Sequence, residues 1–394
     1  MSPSFKSSKQ EHLSEIKKEF YNHLKQYKEE FKPTKELTTY STLPLLTSSN
    51  YPNISIFQVT NSSIENTQEK QNKFVKKDYS HILQHKARSV VATSQPTHKT
   101  QSESIHNELK TIYSSKKPIE SEHIFENELK IGSILSSKTA GLLGNSTPLM
   151  QIKTHDNISI SKHLEKHQSG ETKTKEAIID LYDRGFNDTQ IRTLLSLSSF
   201  GLKKNKILVP SKWAISACDS ILEEYLHSQI LKYRVGEEFL AFHHNDKGNE
   251  FIICMLPYHF CSEVIENFYN SVSQISVVER DFVTNSNKLQ TKEPQCAGGY
   301  WATKLAMFEY MIREKKQYAC ISIRIINNYE IPLGVIFVRE CVRSALSNSP
   351  IIKTTNKEEF EKYIFKNYLN HFKLYEQSRV LYEVSKFKNL NSWM

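Results

Sequence analysis

Four lysines, the last of them followed directly by a tryptophan, form the part of this sequence best suited to bind an anion. They surround the predicted start of a helix near Pro210, whose first turn would present free backbone N–H groups. Positive charge, N–H groups and an indole ring together suit contact with a phosphate backbone, by attraction, hydrogen bonding and stacking. A solvated basic loop with the tryptophan anchored in the core is the alternative. The residues are Lys203, Lys204, Lys206, Lys212 and Trp213.

Two arginines further along the chain form a second candidate anion contact. Arg339 and Arg343 lie one helical turn apart, on a different face from an apolar stripe that begins at Val338. We predict that both arginines contribute to binding of the same anionic partner. Gly298 and Gly299 precede another predicted helix and could bind an anion at its N-terminus, but close helix packing explains two glycines better.

Other kinds of chemistry have no local signature in the sequence. No phosphate-binding P-loop, G-x-S-x-G elbow, H-E-x-x-H or paired C-x-x-C motif occurs, and the carboxylates show no diagnostic spacing. Catalytic residues therefore stay unknown. Five histidines and cysteines match no standard zinc spacing, and the two adjacent histidines would point to opposite faces of a strand. We predict packing roles, no metal and no cofactor for His243, His244, Cys254, His259 and Cys261.

Two short predicted helices precede the lysine cluster. Gly185 suits the left-handed end of the first, and Asn187 or Asp188 can cap the second. Their spacing is typical of the first two helices of a helix-turn-helix DNA reader. A reading helix of adequate length does not fit before Pro210, so sequence-specific DNA regulation is the less favoured interpretation.

Residues 296–346 carry the sharpest secondary-structure pattern. Helical spacing over residues 301–312 is followed by alternation over 321–325, by a short apolar run over 333–338, and by helical spacing again. We predict a helix–strand–strand–helix unit. The predicted fold class is α+β, with a larger N-terminal domain and this smaller C-terminal one.

The preceding region predicts further elements of both types. Residues 239–243 and 250–256 flank a turn-rich connector and predict a hairpin, residues 259–269 a helix, and residues 275–283 a strand. A polar connector over residues 284–294 then leads into the C-terminal unit.

The N-terminal third is more polar than the rest. Apolar residues recur every three to four positions over residues 13–31, which predicts a long helix, docked on the main body or offered to another protein. We predict loops and short strands after Pro44, and weakly packed structure over residues 81–133. The predicted segments are a helical arm at 1–40, an N-terminal domain at 41–275 and a C-terminal domain at 276–390.

Composition limits the class of partner. The chain has 394 residues, a formal net charge of +9 and a pI near 9.0, which favours anionic partners such as nucleic acid. Its six cysteines form no disulfide-like pattern and indicate buried, reduced thiols. No apolar run is long enough to span a membrane, and the polar N-terminus lacks the apolar core of a signal peptide. We expect a cytoplasmic protein, with association with the nucleoid as a further option.

Five sequence blocks resemble the archaeal Nre DNA-repair protein family. The blocks are SNYPNISIF, KEAIIDLYDRGF, KILVPSKWAISACDS, AGGYWATKLAMFEYM and PLGVIFVRECVRSAL, and their order and spacing agree with the family. Together they span residues 45–347, with residues 60–130 the poorest match. The resemblance implies an N-terminal Nre domain, a smaller C-terminal one and a role in DNA-damage repair.

The chain departs from the family at several positions. Family members begin with a four-cysteine zinc motif, whereas no cysteine precedes Cys218 here, so no zinc site carries over. Many end in a sliding-clamp motif, but Glu383 and Val384 stand where its aromatics belong, which makes clamp binding doubtful. Lys212 replaces the usual arginine, and Glu171 is the only acid retained in a typically acidic segment.

Three functional hypotheses follow from these observations. The first is a DNA-repair protein that engages DNA or a repair complex. The second is an enzyme acting on nucleotides or nucleic-acid ends in a pocket between the two domains. The third is a non-catalytic scaffold that binds a protein partner through the stripe of residues 13–31.

Overall fold

The computed structural model describes residues 3–61, 79–96, 99, 104–117, 119–132, 135–137, 141–154, 158–270, 275–284, 294–327 and 334–391. The chain has an α+β fold, as predicted, and divides into two compact units, of which the N-terminal one is the larger. One unit comprises Glu15–Ile221; the other comprises Leu222–Met394 together with Met1–Ser14. Among the described helices, none is long and apolar enough to cross a membrane. The domain boundaries drawn from the sequence stay a prediction.

The N-terminal unit combines a β-barrel with helices. Its elements are α1 (Pro3–Glu30), β1 (Thr34–Asn50), β2 (Asn53–Asn61), α2 (Tyr79–Arg88), β3 (Val90–Ser94), α3 (Ser104–Ser114), β4 (Glu120–Leu129), β5 (Leu135–Ser137), β6 (Gly141–Leu143), β7 (Asn145–Thr154), α4 (Lys162–Gln168), α5 (Thr174–Asp183), α6 (Asp188–Ser196) and the beginning of α7 (Ser211–Ile230). The helix α7 continues into the second unit.

Five strands of this unit close into a barrel in the order β1–β2–β3–β7–β4. The pairs β1/β2, β2/β3, β4/β7 and β1/β4 are antiparallel, whereas β3/β7 is parallel. The helix α3 stands between β3 and β4 in the chain. Its Tyr113 hydroxyl accepts a buried hydrogen bond of 2.8 Å from Gln58 Nε2 on β2, so helix and barrel share a polar contact in the interior.

Short strands and loops were predicted after Pro44, and the strands β1 and β2 found there are longer than predicted. The prediction of weak packing over residues 81–133 was wrong for the described residues. Polar side chains inside the barrel explain the errors, because Gln58, Ser121 and His123 are buried where an apolar residue is expected. Burial lowers the pKa of His123 to about 4, so its ring is neutral at pH 7. A strand whose inward face is partly polar lacks the apolar alternation on which sequence-based prediction depends.

The long N-terminal helix is confirmed as a docked element. Phe20 and Leu24 of α1 are buried, and Glu30 forms a 3.0 Å ion pair with Arg88 of α2. The guanidinium of Arg88 also lies over the ring of Tyr27, 5.9 Å from its centroid. This part of the stripe is therefore covered by the protein itself and is not offered to a partner.

The C-terminal unit is a six-stranded sheet with helices. Its elements are β8 (Arg234–Val235), β9 (Phe239–Asp246), β10 (Asn249–Leu256), β11 (Ser262–Asn270), β12 (Ile275–Val283), α8 (Ala297–Glu314), β13 (Lys316–Gln317), β14 (Ala319–Asn327), α9 (Gly334–Ser347), β15 (Ile352–Thr354), α10 (Lys357–Asn367), α11 (Leu369–Tyr375) and α12 (Arg379–Asn391).

The sheet has the order β12–β11–β14–β10–β9–β15, with β11/β14 as its parallel pair. Alternate residues of a strand face opposite sides. On one side, Phe239 and Ile252 belong to a buried cluster that includes Phe360 of α10 and Val380 of α12. On the other side, Phe242 packs against Tyr310 of α8, with ring centroids 5.2 Å apart. The predicted hairpin and the strand at residues 275–283 are confirmed.

Two predicted elements in this unit were wrong. Residues 262–270 form the strand β11 rather than part of a helix, because the segment pairs with strands on both sides. The expected second strand of the C-terminal unit belongs instead to the helix α9, which begins at Gly334. A short apolar run is compatible with both the helical period and the strand period. Its packing in the fold therefore decides whether it becomes a helix or a strand. Over its described residues the unit therefore has α8, the two-residue strand β13, the strand β14 and α9, and the connector at 285–293 lies outside them.

A buried ion pair joins the second half of α7 to α8. Lys304 Nζ lies 2.9 Å from Glu223 Oε2, and both side chains have 0% exposure. The same ammonium donates a 3.0 Å hydrogen bond to the hydroxyl of Tyr300. Since an unpaired charge here would be strongly destabilising, the pair fixes how the two helices meet.

Gly298 allows α8 and α9 to pack closely, which supports the packing interpretation of the two glycines. A Cβ at Gly298 would lie 2.3 Å from Cγ2 of Val335. We predict that Gly298→Ala lowers the free energy of unfolding by about 1–3 kcal/mol, because the β-branched valine must rotate or the helices must separate. Chemical denaturation of the purified protein measures the change.

A double-mutant cycle provides the control for this prediction. Val335→Ala removes the obstructing methyl group, so Gly298→Ala should cost much less in that background. Equal losses of stability in the two backgrounds would show that the contact with Val335 is not the cause.

Candidate nucleic-acid interface

The predicted basic cluster lies largely on a loop, residues 197–210, between α6 and α7. The two ends of this loop meet, because the N–H of Val209 donates a 3.0 Å hydrogen bond to the carbonyl of Ser196. In the middle, the N–H of Lys203 donates to the carbonyl of Gly170, at 3.1 Å. Gly201 has a φ of +111°, which a residue with a side chain rarely adopts. The loop thus has a defined path.

Arg192 connects the helices on either side of the loop. Its Nη2 lies 2.9 Å from Oδ2 of Asp188, at the start of α6, and its Nη1 lies 3.9 Å from Oδ1 of Asp219 on α7. All three side chains are buried. A buried guanidinium between two carboxylates therefore sets the distance between the points where the loop leaves α6 and enters α7.

Trp213 lies beside an aromatic residue from a distant part of the chain. Asn50 pairs with Asn53 in the register of β1 and β2, so Tyr51 is at the tip of that hairpin. The rings of Tyr51 and Trp213 have centroids 5.6 Å apart and an interplanar angle of 50°. A 2.9 Å hydrogen bond from the N–H of Leu46 to Oγ of Ser211 connects β1 to the first turn of α7.

The two rings form an exposed aromatic pair. Tyr51 is 49% and Trp213 47% exposed, so the tryptophan is not the core anchor of the alternative interpretation. Leu202 and Ile207, on the loop, are also exposed. Large apolar side chains on a surface are informative when they lie close together in the fold, because such patches mark binding sites.

The lysines of the cluster differ in their environments. Lys203 and Lys212 are exposed, whereas Lys206 is half-buried and donates a short hydrogen bond from Nζ to the carbonyl of Gln168. Burial lowers the pKa of Lys206. The side chain of Lys204 lies outside the described residues.

Lys110 of α3 is a further cation near this surface. Burial and the neighbouring charge of Lys206 lower its pKa to about 8. Hydrogen bonds connect the two neighbourhoods, since Gln168 Nε2 donates to Oγ of Ser114 at 2.7 Å, and Ser114 Oγ donates to the carbonyl of Lys110 at 2.6 Å. Two cations near each other and partly removed from water suit an anionic ligand.

The sequence segment that carries the lysines contains basic residues and no acidic ones. Between Asp188 and Asp219 the sequence contains five basic residues and no Asp or Glu. Arg192 is neutralised by its two carboxylate partners, which leaves the positive charge of the lysines on the loop and at the start of α7. An acid-free basic segment attracts polyanions and repels acidic surfaces.

Arg339 and Arg343 belong to the C-terminal unit. Both lie on α9 in the other compact unit, and Arg339 has 0% exposure, so it cannot reach DNA in this conformation. The guanidinium of Arg343 binds Glu309 of α8 at 2.6 Å and Glu340 at 2.7 Å. The proposed anion contact is therefore corrected for Arg339, and the charge of Arg343 is neutralised by carboxylates. Helical spacing correctly placed both arginines on one helix, but it could not show that one would be buried and the other paired with carboxylates.

The five histidines and cysteines considered as metal ligands lie in the C-terminal unit. His243 pairs with Glu250 at 3.1 Å, and all six cysteines of the chain are buried and form no disulfide bond, as predicted. Among the described residues, the group with potential ligand atoms within 4.8 Å of one another is His244, Asp246 and Cys341. Lys247 Nζ lies 2.8 Å from both carboxylate oxygens of Asp246, which is the environment of an ion pair.

Sequence reasoning missed Tyr51 and Lys110. Tyr51 stands in one of the sequence blocks quoted above, but nothing local indicates that its partner is Trp213. Lys110 lies in a segment that gave weak signals, and only the fold brings it near Lys206. In both cases the property that matters is a contact between distant residues.

Comparison with known proteins identifies related sequences over most of the chain. Residues 14–273 match the family described as "Archaeal Nre, N-terminal", and residues 285–393 match "Archaeal Nre, C-terminal". Two relatives come from Archaeoglobus fulgidus. The "DNA repair protein NreA" is 30% identical over 53% of this chain and 54% of its own length, and the "DNA repair protein NreB" is 29% identical over 51% and 52%.

A third relative comes from Haloferax volcanii. This "DNA repair protein NreA" is 28% identical over 43% of the chain and 42% of its own length. The chain thus matches about half the length of each of these curated relatives.

The pKa of Lys110, lowered by burial and by the charge of Lys206, predicts that removing this charge gives a pH-dependent gain of stability. The folded protein releases the Lys110 proton near pH 8 and the unfolded chain near 10.5, so unfolding takes up protons in between and stability rises with pH there. Lys110→Met keeps the length of the side chain and removes the charge. We expect its melting temperature to exceed that of the wild type by about 1–4 °C at pH 7, and the difference to shrink towards zero near pH 10.

Lys117→Met is the matched control, because this lysine is exposed. Calorimetry at the two pH values should show no comparable gain for it. If the gain of Lys110→Met persisted undiminished at pH 10, added apolar packing rather than relief of repulsion would explain it.

Proposed function

The chain belongs to the archaeal Nre family, and we propose that it takes part in DNA repair by binding DNA through the loop of residues 197–210, the start of α7 and the hairpin tip at Tyr51. The names of the relatives support a role in DNA repair, and the basic surface supports DNA binding as the mode of action. Because the alignments cover about half of each relative, the role of this chain rests on its own residues as well.

The observation that carries the proposal is the combination of exposed lysines with a segment free of acids. Lys203 and Lys212 stand on either side of Pro210 and are both exposed. Lysine binds phosphate as a mobile point charge, so these residues contact a backbone without requiring one base sequence. Binding of this type displaces counterions and weakens steeply as salt is raised.

The fixed path of the loop adds to the affinity of such a surface. Hydrogen bonds from Val209 to Ser196 and from Lys203 to Gly170 hold its backbone, so less conformational entropy is lost when DNA binds. Between α6 and α7 the chain forms one short 3-10 turn and no long helix, which argues against insertion into the major groove in the helix-turn-helix manner. Contact with the sugar–phosphate backbone and with exposed bases fits the geometry better.

The surroundings of the thiols support a cytoplasmic location as part of this proposal. All six cysteines are buried and form no disulfide bond, and thiols stay reduced in a reducing compartment. The proposal also includes binding of other repair proteins, as a separate part. For the sliding clamp, the sequence makes binding doubtful. Val380 and Val384, in the segment compared with a clamp motif, are buried within the C-terminal unit.

We predict that Lys203→Glu combined with Lys212→Glu weakens DNA binding at least tenfold near physiological salt. The two losses should also reduce the slope of log affinity against log salt by about 1.4–1.8. Fluorescence anisotropy with a labelled oligonucleotide, titrated at several salt concentrations, measures both quantities.

Lys362→Glu combined with Lys366→Glu is the matched control, because it makes the same change in net charge at exposed positions of α10. We expect it to change the affinity much less and to leave the slope close to that of the wild type. Equal effects of the two double variants would mean that net charge alone governs binding, and the assigned surface would be wrong.

A further inference from the structure

The barrel of the N-terminal unit has a recognisable topology. Its first strand, β1, pairs with both β2 and β4 and so closes the barrel. The third and the last strands, β3 and β7, are parallel, and a helix, α3, stands between the third and fourth barrel strands. A five-stranded Greek-key barrel with this strand order is the arrangement of the OB-fold. The small hairpin of β5 and β6 is an insertion before the last strand.

OB-folds bind oligonucleotides with a defined part of their surface. The ligand lies across the second and third strands, between the loop that joins strands one and two and the loop that joins strands four and five. The first of these loops is here the tight turn between Asn50 and Asn53. Its tip carries Tyr51, so the exposed aromatic pair stands at a ligand-binding position of the barrel.

From this arrangement we infer that the barrel binds single-stranded DNA, with Tyr51 and Trp213 forming a platform on which an unpaired base stacks. The inference rests on the proposed function and names its substrate class. Inside a duplex, both faces of a base are covered by neighbouring bases, so an aromatic platform selects unpaired nucleotides. Lys203 and Lys212 then contact the phosphates of the same strand.

The exposure of the two rings supports this role. Rings that only hold the hairpin against α7 would be expected to cover each other, yet each remains about half exposed, at 49% and 47%. At a tilt of 50° the two rings are not stacked face to face. The hairpin is meanwhile held to α7 by the Leu46 to Ser211 hydrogen bond, so the rings are not needed as its main attachment.

The outer surface of the barrel offers a third aromatic residue. Phe57 of β2 alternates with the buried Ile56 and Gln58 and is partly exposed. It pairs across the strands with Thr93 of β3, which places it on the two strands that carry the ligand in OB-folds. A strand of DNA that follows this path would meet Tyr51 at the turn and Phe57 on the sheet.

Charge selects nucleic acid over a protein ligand for this platform. The residues from Ser48 to Asn53 carry no charge, and the segment from Thr189 to Cys218 contains no acid. A basic protein segment would find no acid to pair with in these two segments, while a nucleic acid brings phosphates to the lysines and bases to the rings. The platform and the lysines together match the two parts of a nucleotide.

Substitution of the rings tests the inference. Tyr51→Ala and Trp213→Ala should each weaken binding of a labelled oligothymidine of about 20 nucleotides by about 5- to 150-fold, the range for loss of one stacked base. Binding of a duplex of the same length should change by less than about threefold, since backbone contacts remain. Trp213→Phe keeps an aromatic face and should retain most of the affinity.

Tryptophan emission provides a second readout. A stacked base quenches the indole, so oligothymidine should quench the wild-type emission, and the quench should disappear in Trp213→Phe although binding persists. Tyr382→Ala is the matched control, because this ring is 63% exposed and lies on α12. Circular dichroism melts of all variants show whether each one is folded.

The outcomes separate this inference from the proposed function. If the wild type binds duplex and single strand alike, and the ring variants leave both affinities unchanged, the platform is refuted while DNA binding stands. If the wild type binds neither form, both proposals fail. Selective loss of single-strand binding in folded Tyr51→Ala and Trp213→Ala, with duplex binding retained, supports the platform.

Discussion

The buried guanidinium of Arg192 is the interaction on which the candidate surface depends. It bonds to Asp188 within its own helix and lies 3.9 Å from Asp219 on the next one. Removing one member of such a group leaves an uncompensated buried charge, which costs about 3–5 kcal/mol. The loop between the two helices has no regular structure beyond one short 3-10 turn, Lys203–Asn205. Arg192 therefore holds the two ends of the loop, and the hydrogen bond from Lys203 to Gly170 holds its middle.

A second constraint brings the hairpin tip to the same place. β1 is bonded along most of its length to β2 and β4, so the tip that carries Tyr51 extends from a closed barrel rather than from a free hairpin. The bond from Leu46 to Ser211 connects this barrel to the helix that carries Trp213. The barrel and α7 thus hold the two rings with their centroids 5.6 Å apart. Little conformational entropy is then lost when a ligand binds to them.

The sequence predicted the helices of this surface better than its strands. Gly185 and Asn187 gave strong local signals, and the structure shows the left-handed glycine and the Asn187 cap that accepts from the N–H of Thr189. The barrel gave weak signals because inward side chains such as Gln58 and His123 are polar and make their contacts only in the closed fold. Local propensity does not contain such pairings.

The same distinction holds for the candidate site. Lys203, Lys212 and Trp213 could be identified from type and spacing, because charge, an indole and a helix start are properties of one segment. Tyr51 and Lys110 could not, since their significance comes from neighbours more than ninety residues away in the chain. Arg339 shows a different kind of error. Helical spacing correctly placed it on a helix, but the fold buries its side chain, and spacing alone does not reveal burial.

Arg192 and Arg324 illustrate what a guanidinium does when it is largely removed from water. Its fork of N–H groups satisfies carboxylates, as Arg192 does with Asp188 and Arg324 does with Glu266 at 2.7 Å. The exposed positions of the candidate surface carry lysine instead. A lysine retains its hydration and its freedom when no ligand is bound, so it adds attraction without fixing one geometry. These properties would suit the proposed binding of a flexible strand of any sequence, in which the two rings would select unpaired bases.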